Sequence, residues 1–302
     1  MEKHTFKEWF AITRYWSFPV STMPVLATAA WLFSRGQLAG TGPRSILILA
    51  LCLLGVVVLH AAGNLLSDWY DYRTGVDNEN AFAVPFLVFK NFEPRTYLVF
   101  SIVLFVIGVL FGVAITLLSG PGLLLVGSIG VLLTLLYSFL KYHALGDLDI
   151  FLIFGVLTVL GTAYALTGGF CPEALVISVP VGLITVSVLH ANNTYDIPSD
   201  GGAGIKTFAM LLGERASSKL YCVYMVLPFL CVIAAVCCGW MHPLALLCLL
   251  AAVPAWKNLK QAATYDRNGL EAMKGLDQGS AKLQLAFSVL LSLGLFVAGL
   301  LC

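Results

Sequence analysis

Charge is what this chain has least of. Only 11% of its 302 residues are Asp, Glu, Lys or Arg and 59% are hydrophobic, with a mean hydropathy of +0.91. A water-soluble domain carries roughly 25% charged residues, so this chain uses lipid as its solvent. Seventeen Lys and Arg against sixteen Asp and Glu leave a net charge of +1, which excludes a nucleic-acid binder, because that function needs a basic face to neutralise phosphates. The eight cysteines form no C-x-x-C pair. Most lie inside apolar runs and read as small hydrophobes rather than a metal or redox site. Residues 1–10 are amphiphilic and the first apolar stretch lacks a small-residue cleavage pattern, so no signal peptide is expected.

What is present is a series of long apolar runs. A helix needs about 20 apolar residues to cross the hydrocarbon core. Windows of that kind fall near residues 15–34, 45–66, 97–118, 121–140, 150–168, 174–192, 220–239, 243–256 and 284–302, the eighth being short. The expected fold is all-α: a polytopic membrane bundle of about nine transmembrane helices forming a single domain over 1–302. The positive-inside rule tests that count. With the N-terminus inside, all of the seventeen Lys and Arg fall on inside segments except Arg35 and Arg44, and Glu173 is the one acidic residue on the other side. The connections around 119–122, 168–172 and 239–243 are short, rich in Gly and Pro, and free of Lys and Arg. The long polar connections therefore face one side, which the rule makes the cytoplasmic side of the inner membrane.

Two of those polar segments are alike. The second window runs into NLLSDWYDYRTGVD, with Asn64, Asp68, Asp71 and Asp77, and the sixth into NNTYDIPSDGGAGIKT, with Asn192, Asn193, Asp196 and Asp200. In both, an Asn precedes the first Asp by four residues and a second Asp follows three or four later, spacings that share a helical face. Like charges so placed repel, and carboxylates near a bilayer are costly unless compensated. A hard divalent cation resolves both problems, and magnesium is commonly held by one or two carboxylates plus substrate phosphates. Two such sets on one side imply a parallel internal repeat around a central cavity, a geometry that suits a diphosphate held between two metals. A lone D-x-x-D is as often a solvated loop; the duplication, in a chain this poor in acid, favours the metal site.

Arg73, Lys141 and Lys206 accompany the clusters and could bind phosphate oxygens, although Lys141 and Lys206 also satisfy the positive-inside rule. His60 and His190, just ahead of the Asn residues, read as hydrogen-bonded packing histidines rather than proton carriers.

These residues resemble the UbiA superfamily of intramembrane aromatic prenyltransferases over nearly the whole length. NNTYDIPSDGGAGIKTFAMLLG is close to the family's second motif. Within the family, NLLSDWYDYRTGVD and YSFLKYHALGDLDIFLIFG are similar to the branch that prenylates 1,4-dihydroxy-2-naphthoate for menaquinone, with departures at Ser67, Tyr195 and Asp147. The resemblance implies transfer of a polyprenyl group from an allylic prenyl diphosphate to an aromatic acceptor, with Mg2+ as cofactor. The acceptor is 1,4-dihydroxy-2-naphthoate or, alternatively, 4-hydroxybenzoate or a lipid-like molecule. It further implies that Asp68, Asp71, Asp196 and Asp200, with Asp77 as a further candidate, hold the metal, and that Asn64 and Asn192 orient these ligands or the phosphate. Arg14 and Trp16 resemble residues on the family's substrate-access side. Tyr137, Tyr142, Trp69 and Tyr195 are candidate cavity aromatics, and each is equally well explained as an interfacial aromatic. The partners implied are the two small molecules and the bilayer, with the isoprenoid tail leaving between helices into lipid.

Two other readings are weighed. An ion-coupled transporter predicts charges at helix midplanes and inverted repeats, whereas these carboxylates lie at helix ends. A CDP-alcohol phosphotransferase would need a dense D-G-x-x-A-R type motif, which the sequence lacks.

Overall fold

Helix is the only regular structure open to a chain whose backbone must satisfy its own hydrogen bonds in lipid without closing a barrel, and helices are what form. The computed structural model describes residues 4–38, 42–75, 92–202 and 204–301. A short α1 (Phe6–Ile12) and a single 3-10 turn (Tyr15–Ser17) lead into α2 (Pro19–Ser34). Then come α3 (Pro43–Thr74), α4 (Pro94–Ser119), α5 (Leu123–Tyr142), α6 (Gly146–Thr167) and α7 (Leu175–Tyr195). Short α8 (Ile197–Gly202) and α9 (Phe208–Leu212) precede α10 (Glu214–Cys237). A 3-10 segment, Pro243–Ala251, continues into α11 (Ala252–Ala262), and α12 (Leu276–Leu301) ends the chain. Proline stands in the first turn of α2, α3 and α4, where its missing N–H costs nothing, and left-handed glycines, Gly75 and Gly168, close α3 and α6.

Among the described residues seven helices are long and apolar enough to cross a bilayer. They coincide with seven of the nine expected windows. The other two windows are helical but differently built: α2 has 16 residues, and the eighth begins as 3-10 helix before turning α-helical. Two elements outrun their hydropathy windows. α3 continues to Thr74 and so carries Asn64, Asp68 and Asp71 inside the helix rather than in a loop, and α12 begins at Leu276.

α7 is the most buried span and packs against α10, α12 and α6. Against α6, a side chain on Gly182 would meet the Cα of Gly155 at 3.0 Å, so the small residues there let the backbones come close. α12 packs along α2 and the 3-10 segment, while α4 lies along α3. Several polar side chains in the core pair with one another, as in Tyr221 with Ser280 (2.7 Å) and Thr194 with Ser217 (2.6 Å).

The side-chain contacts sort the connections into two ends. Arg35 donates to the Trp240 carbonyl at 3.5 Å, Arg44 to the Leu118 carbonyl, and the Gly122 N–H to the Tyr164 hydroxyl at 3.1 Å, gathering the Gly/Pro-rich turns at one end. Arg14, Lys141, Lys206 and both acidic motifs occupy the other. This is the alternation that the distribution of positive charge predicted.

Candidate active site

The 64–71 stretch of α3 presents Asn64, Ser67, Asp68 and Asp71 one turn apart on the helix. On α7 the same spacing carries Asn192 and Asn193, with Asp196 as its C-cap and Asp200 in α8. Both sets reach a single cavity of about 1310 Å3. Its polar end is lined by Asp71 from the first motif, by Asn192, Asn193, Asp196 and Asp200 from the second, and by Lys141. Arg14, Trp16, Asn64 and Tyr137 also lie on its wall.

The ion pairs show how the charges are held. Lys141 Nζ stands 3.8 Å from Asp71, and the Tyr142 hydroxyl donates to the same carboxylate. Arg14 donates to Asp68. That pairing buries Asp68 behind the cavity wall instead of on it, so among the described residues the first motif shows one carboxylate to the cavity. Asn64 departs from expectation in the same way: its amide donates to the Thr13 carbonyl (3.0 Å) and the Ser17 hydroxyl (3.3 Å), anchoring the segment before α2 rather than orienting an aspartate. Asn192 does orient one, donating to Asp196 at 2.8 Å. Asn193 is buried with its Oδ1 unpartnered among the described residues.

Besides Asp68, the expected residues Arg73, Lys206 and Tyr142 and the candidate aromatics Trp69 and Tyr195 lie off the cavity. Arg73 is exposed and stacks over Trp69, 5.3 Å from the ring. Lys206 projects into solvent while its backbone bridges His143 and accepts from Ala144 N–H at 2.8 Å, pinning the end of α5. Tyr142 acts through Asp71, with its ring 5.5 Å from Tyr70. Asp77 lies outside the described residues. His60, on the cavity wall, bonds Ser21 and Ser17 at 3.1 and 3.3 Å, and buried His190 bonds Asp147 at 2.6 Å, so both are hydrogen-bonded as expected.

Sequence reasoning missed the start of α12, where Asp277, Gln278, Ala281 and Lys282 also line the cavity. The signal was available in the helical spacing of these residues just ahead of the last apolar run, but the hydropathy window began at 284 and left them in a loop. Two non-glycine residues in the left-handed region flank the site, Arg14 (φ 55°) and Ala144 (φ 61°). Such backbone persists only where its surroundings fix it.

Burial pushes the Asp200 carboxyl up to about 6, with Lys141 opposing the shift and Asp196 and Asp71 reinforcing it. Burial raises Asp196 too, opposed by Lys141, reinforced by Asp277 and opposed again by its Asn192 hydrogen bond. Residues from both motifs thus sit in one another's field. Between the ordinary value of 3.8 and about 6 the folded Asp200 keeps a proton that the unfolded chain has released. The folded state then binds more protons, so stability in metal-free buffer falls as pH rises through that window and stays lower above it. Melting temperatures measured in chelator from pH 4 to 7.5 should decline, and Asp200→Asn should flatten the decline; an unchanged slope in the variant contradicts the assignment.

The donor set suits a hard divalent cation. It is oxygen-only, and its carboxylates are desolvated and mutually repelling, which a cation would relieve. Among the described residues no three His, Cys, Asp or Glu side chains converge as a closed cage. The fit is therefore to an ion that keeps open positions for water and phosphate, as magnesium does.

Residues 22–275 match the UbiA prenyltransferase family. The chain belongs to that family. Its curated relatives include UbiA prenyltransferase domain-containing protein 1 of Xenopus tropicalis, 34% identical over 72% of this chain and 63% of that protein. The protein of the same name from Homo sapiens is 33% identical over 94% of this chain and 82% of its own length. The chain spans 63% to 66% of the length of the frog and Danio rerio relatives. These relatives bear that name and not the name of a naphthoate polyprenyltransferase. Among solved structures, the apo UbiA homolog from Aeropyrum pernix K1 aligns with a TM-score of 0.70 at 20% identity, covering 92% of this chain and 97% of that one. A UbiA homolog from Archaeoglobus fulgidus bound to GPP and Mg2+ aligns at 0.67 and 13% identity, covering 96% and 99%. At those identities the UbiA fold is what the likeness shows.

Proposed function

We propose that this chain, acting as a single domain, transfers a prenyl group from an allylic prenyl diphosphate to an aromatic acceptor of the 1,4-dihydroxy-2-naphthoate type, with magnesium. The reaction takes place at the cytoplasmic end of a membrane-embedded cavity. The observation that carries this reading is the cavity's polarity: two acidic motifs and Lys141 line one end, and apolar side chains line the rest. A diphosphate fits the first and a hydrocarbon tail the second. The archaeal relative bound to GPP and Mg2+ supports the donor class, the motif resemblance supports the acceptor, and the distribution of Lys and Arg supports the orientation.

Ionisation breaks the allylic C–O bond, and the bonding pair leaves with the diphosphate. Asp71 on one side, and Asp196 with Asp200 on the other, are the residues that would hold magnesium, which would supply neutralisation of that departing charge. Lys141 adds a fixed positive charge at the same end, preorganised by its pairing with Asp71. Asn192 holds the Asp196 carboxylate in one orientation. Arg14, kept in place by Asp68, closes the wall beside them. The allylic carbon then lies where polar lining gives way to apolar, shielded from water, with Tyr137 on the wall to face the cation with its ring. The acceptor ring carbon forms the new C–C bond and its proton passes to the released diphosphate.

The test uses purified protein, labelled prenyl diphosphate and a panel of aromatic acceptors. The expected product is prenylated 1,4-dihydroxy-2-naphthoate, formed with magnesium and lost with chelator. Product from 4-hydroxybenzoate alone would replace the acceptor assignment, and no product from any acceptor would remove the reading.

A further inference from the structure

A histidine stands four residues ahead of Asn64 and another two ahead of Asn192, and they differ in what they face. His190 is fully buried, whereas the His60 ring forms part of the cavity wall. Ser17 and Asn64 line the same stretch of wall, and Phe154 of α6 packs on the His60 ring with centroids 5.1 Å apart. Asn64 is seven positions ahead of Asp71, about 10 Å along α3 at a rise of 1.5 Å per residue. That separation leaves the diphosphate and its allylic carbon at the carboxylate end and puts an acceptor ring beside Ser17.

The hydrogen bonds around His60 do not close with the protons available. Its Nδ1 lies 3.1 Å from Ser21 Oγ and its Nε2 3.3 Å from Ser17 Oγ. Each hydroxyl already gives its one proton to a backbone carbonyl, Ser21 to Phe18 (3.1 Å) and Ser17 to Arg14 (2.7 Å). Both therefore face the ring as acceptors, while a neutral imidazole has a single N–H to give. Among the described residues no carboxylate bonds His60 to hold a second proton on it. Ser21 is fully buried and makes the shorter contact, so the ring proton sits on Nδ1 and the Nε2 lone pair points at Ser17. Ser17 is the member that can turn. The Arg14 carbonyl that receives its hydroxyl proton also receives its backbone N–H, at 2.8 Å, so the hydroxyl can swing to Nε2 without stranding that carbonyl. Asn64 donates to Ser17 Oγ at 3.3 Å and holds the oxygen in place meanwhile. A hydroxyl set between a cavity and an imidazole lone pair, with the far ring nitrogen anchored, has the parts of a proton relay.

We propose that Ser17 and His60 relay a proton from the acceptor's ring hydroxyl and so activate the acceptor for attack. This rests on the reading of the chain as a prenyltransferase. The acceptor O–H donates to Ser17 Oγ while Ser17 passes its own proton to His60 Nε2, and the resulting imidazolium bonds both serines. The electron pair of the broken O–H bond stays on the acceptor oxygen and enriches the ring carbon that bonds to the allylic cation. That carbon's own proton goes to the released diphosphate. His60 then returns its proton through Ser17 to the acceptor oxygen, which leaves the product as a phenol and resets the pair.

The experiment supplies the full chain in lipid nanodiscs with magnesium and one prenyl diphosphate. It measures kcat for a series of dihydroxynaphthoates whose substituents make the hydroxyl progressively more acidic, and for a methyl ether that has no such proton. His60→Gln and, separately, Ser17→Ala should lower kcat about a hundredfold for the least acidic acceptor, a common size for a general-base contribution. The loss should shrink as acidity rises, because an acceptor that ionises unaided does not need the relay. With the methyl ether, wild type and both variants should be equally slow. Ser17→Thr, which keeps the hydroxyl, should retain most of the wild-type turnover. If His60→Gln does not fold, Ser17→Ala, which removes a single oxygen, carries the test alone. A loss of equal size across the series marks a packing role and overturns the inference, as does wild-type kcat in the folded variants. Absence of any transfer by wild type overturns the reaction on which the relay rests.

Discussion

Asp200→Asn, and separately Asp196→Asn, should lower turnover by about two to three orders of magnitude, the size of effect seen when one preorganised group that stabilises developing charge is removed. Neither variant should melt below wild type in metal-free buffer. The reason is the site's electrostatics: both carboxylates are held above their ordinary range, chiefly by burial, so in the absence of a cation the ionised forms cost stability that the neutral amide does not. Loss of function joined to equal or greater stability marks a group kept for chemistry rather than for folding. The measurement pairs steady-state turnover with thermal unfolding of the same preparations. Full activity in either variant removes that residue from the ligand set, and a destabilised variant contradicts the assigned cause.

Lys141→Met should produce the opposite stability result and a comparable loss of activity. The Lys141 ammonium is largely buried, 15% exposed, and stands 3.8 Å from Asp71, itself 8% exposed. Its charge opposes the upward shifts of Asp196 and Asp200. Removing it leaves Asp71 without its cationic neighbour on the cavity wall, and breaking a buried pair in this way costs about 3–5 kcal/mol. The double variant Lys141→Met, Asp71→Asn should recover most of that stability, because the stranded charge goes with its partner. Activity should not recover, since both the metal-side carboxylate and the phosphate-side cation are then missing. Equal melting of the single and double variants would show that the pair is not coupled as the geometry requires.

The sequence already separated structural from chemical polar residues fairly far. The windows of hydropathy anticipated the long spans because burial in lipid selects strongly for composition, and composition is local. The same windows misjudged where α3 and α12 begin and end. Hydropathy stops at the first charged residue, whereas a helix continues as long as its polar side chains have somewhere to go: Asp68 to Arg14, Asp71 to Lys141, Asp277 to the cavity. The short α2 and the 3-10 start of the eighth element were also illegible, since both are fixed by packing against α12.

At the site, repetition of the Asn/Asp spacing marked the right two segments, but spacing could not say which member of each set faces the cavity. Asn64 and Asn192 hold equivalent places in their motifs, yet one secures a neighbouring loop and the other an aspartate. Lys141 and Lys206 were equal candidates by sequence. Only Lys141 is on the cavity wall, because Lys206 sits in a short extended bridge that uses its backbone and leaves its side chain in solvent.

By itself, then, the order of residues determined that the chain is a membrane helix bundle, which ends of the helices share a side, and that acidic chemistry gathers at one of those ends. Each of these follows from composition and periodicity, which act over a turn or two of helix. Tertiary structure alone decided that Asp68 is spent on Arg14 while Asp71 is offered to the cavity, and that α12 contributes Asp277 to it. Those are relations between residues tens to hundreds of positions apart, set by how whole helices pack, and no local pattern encodes them.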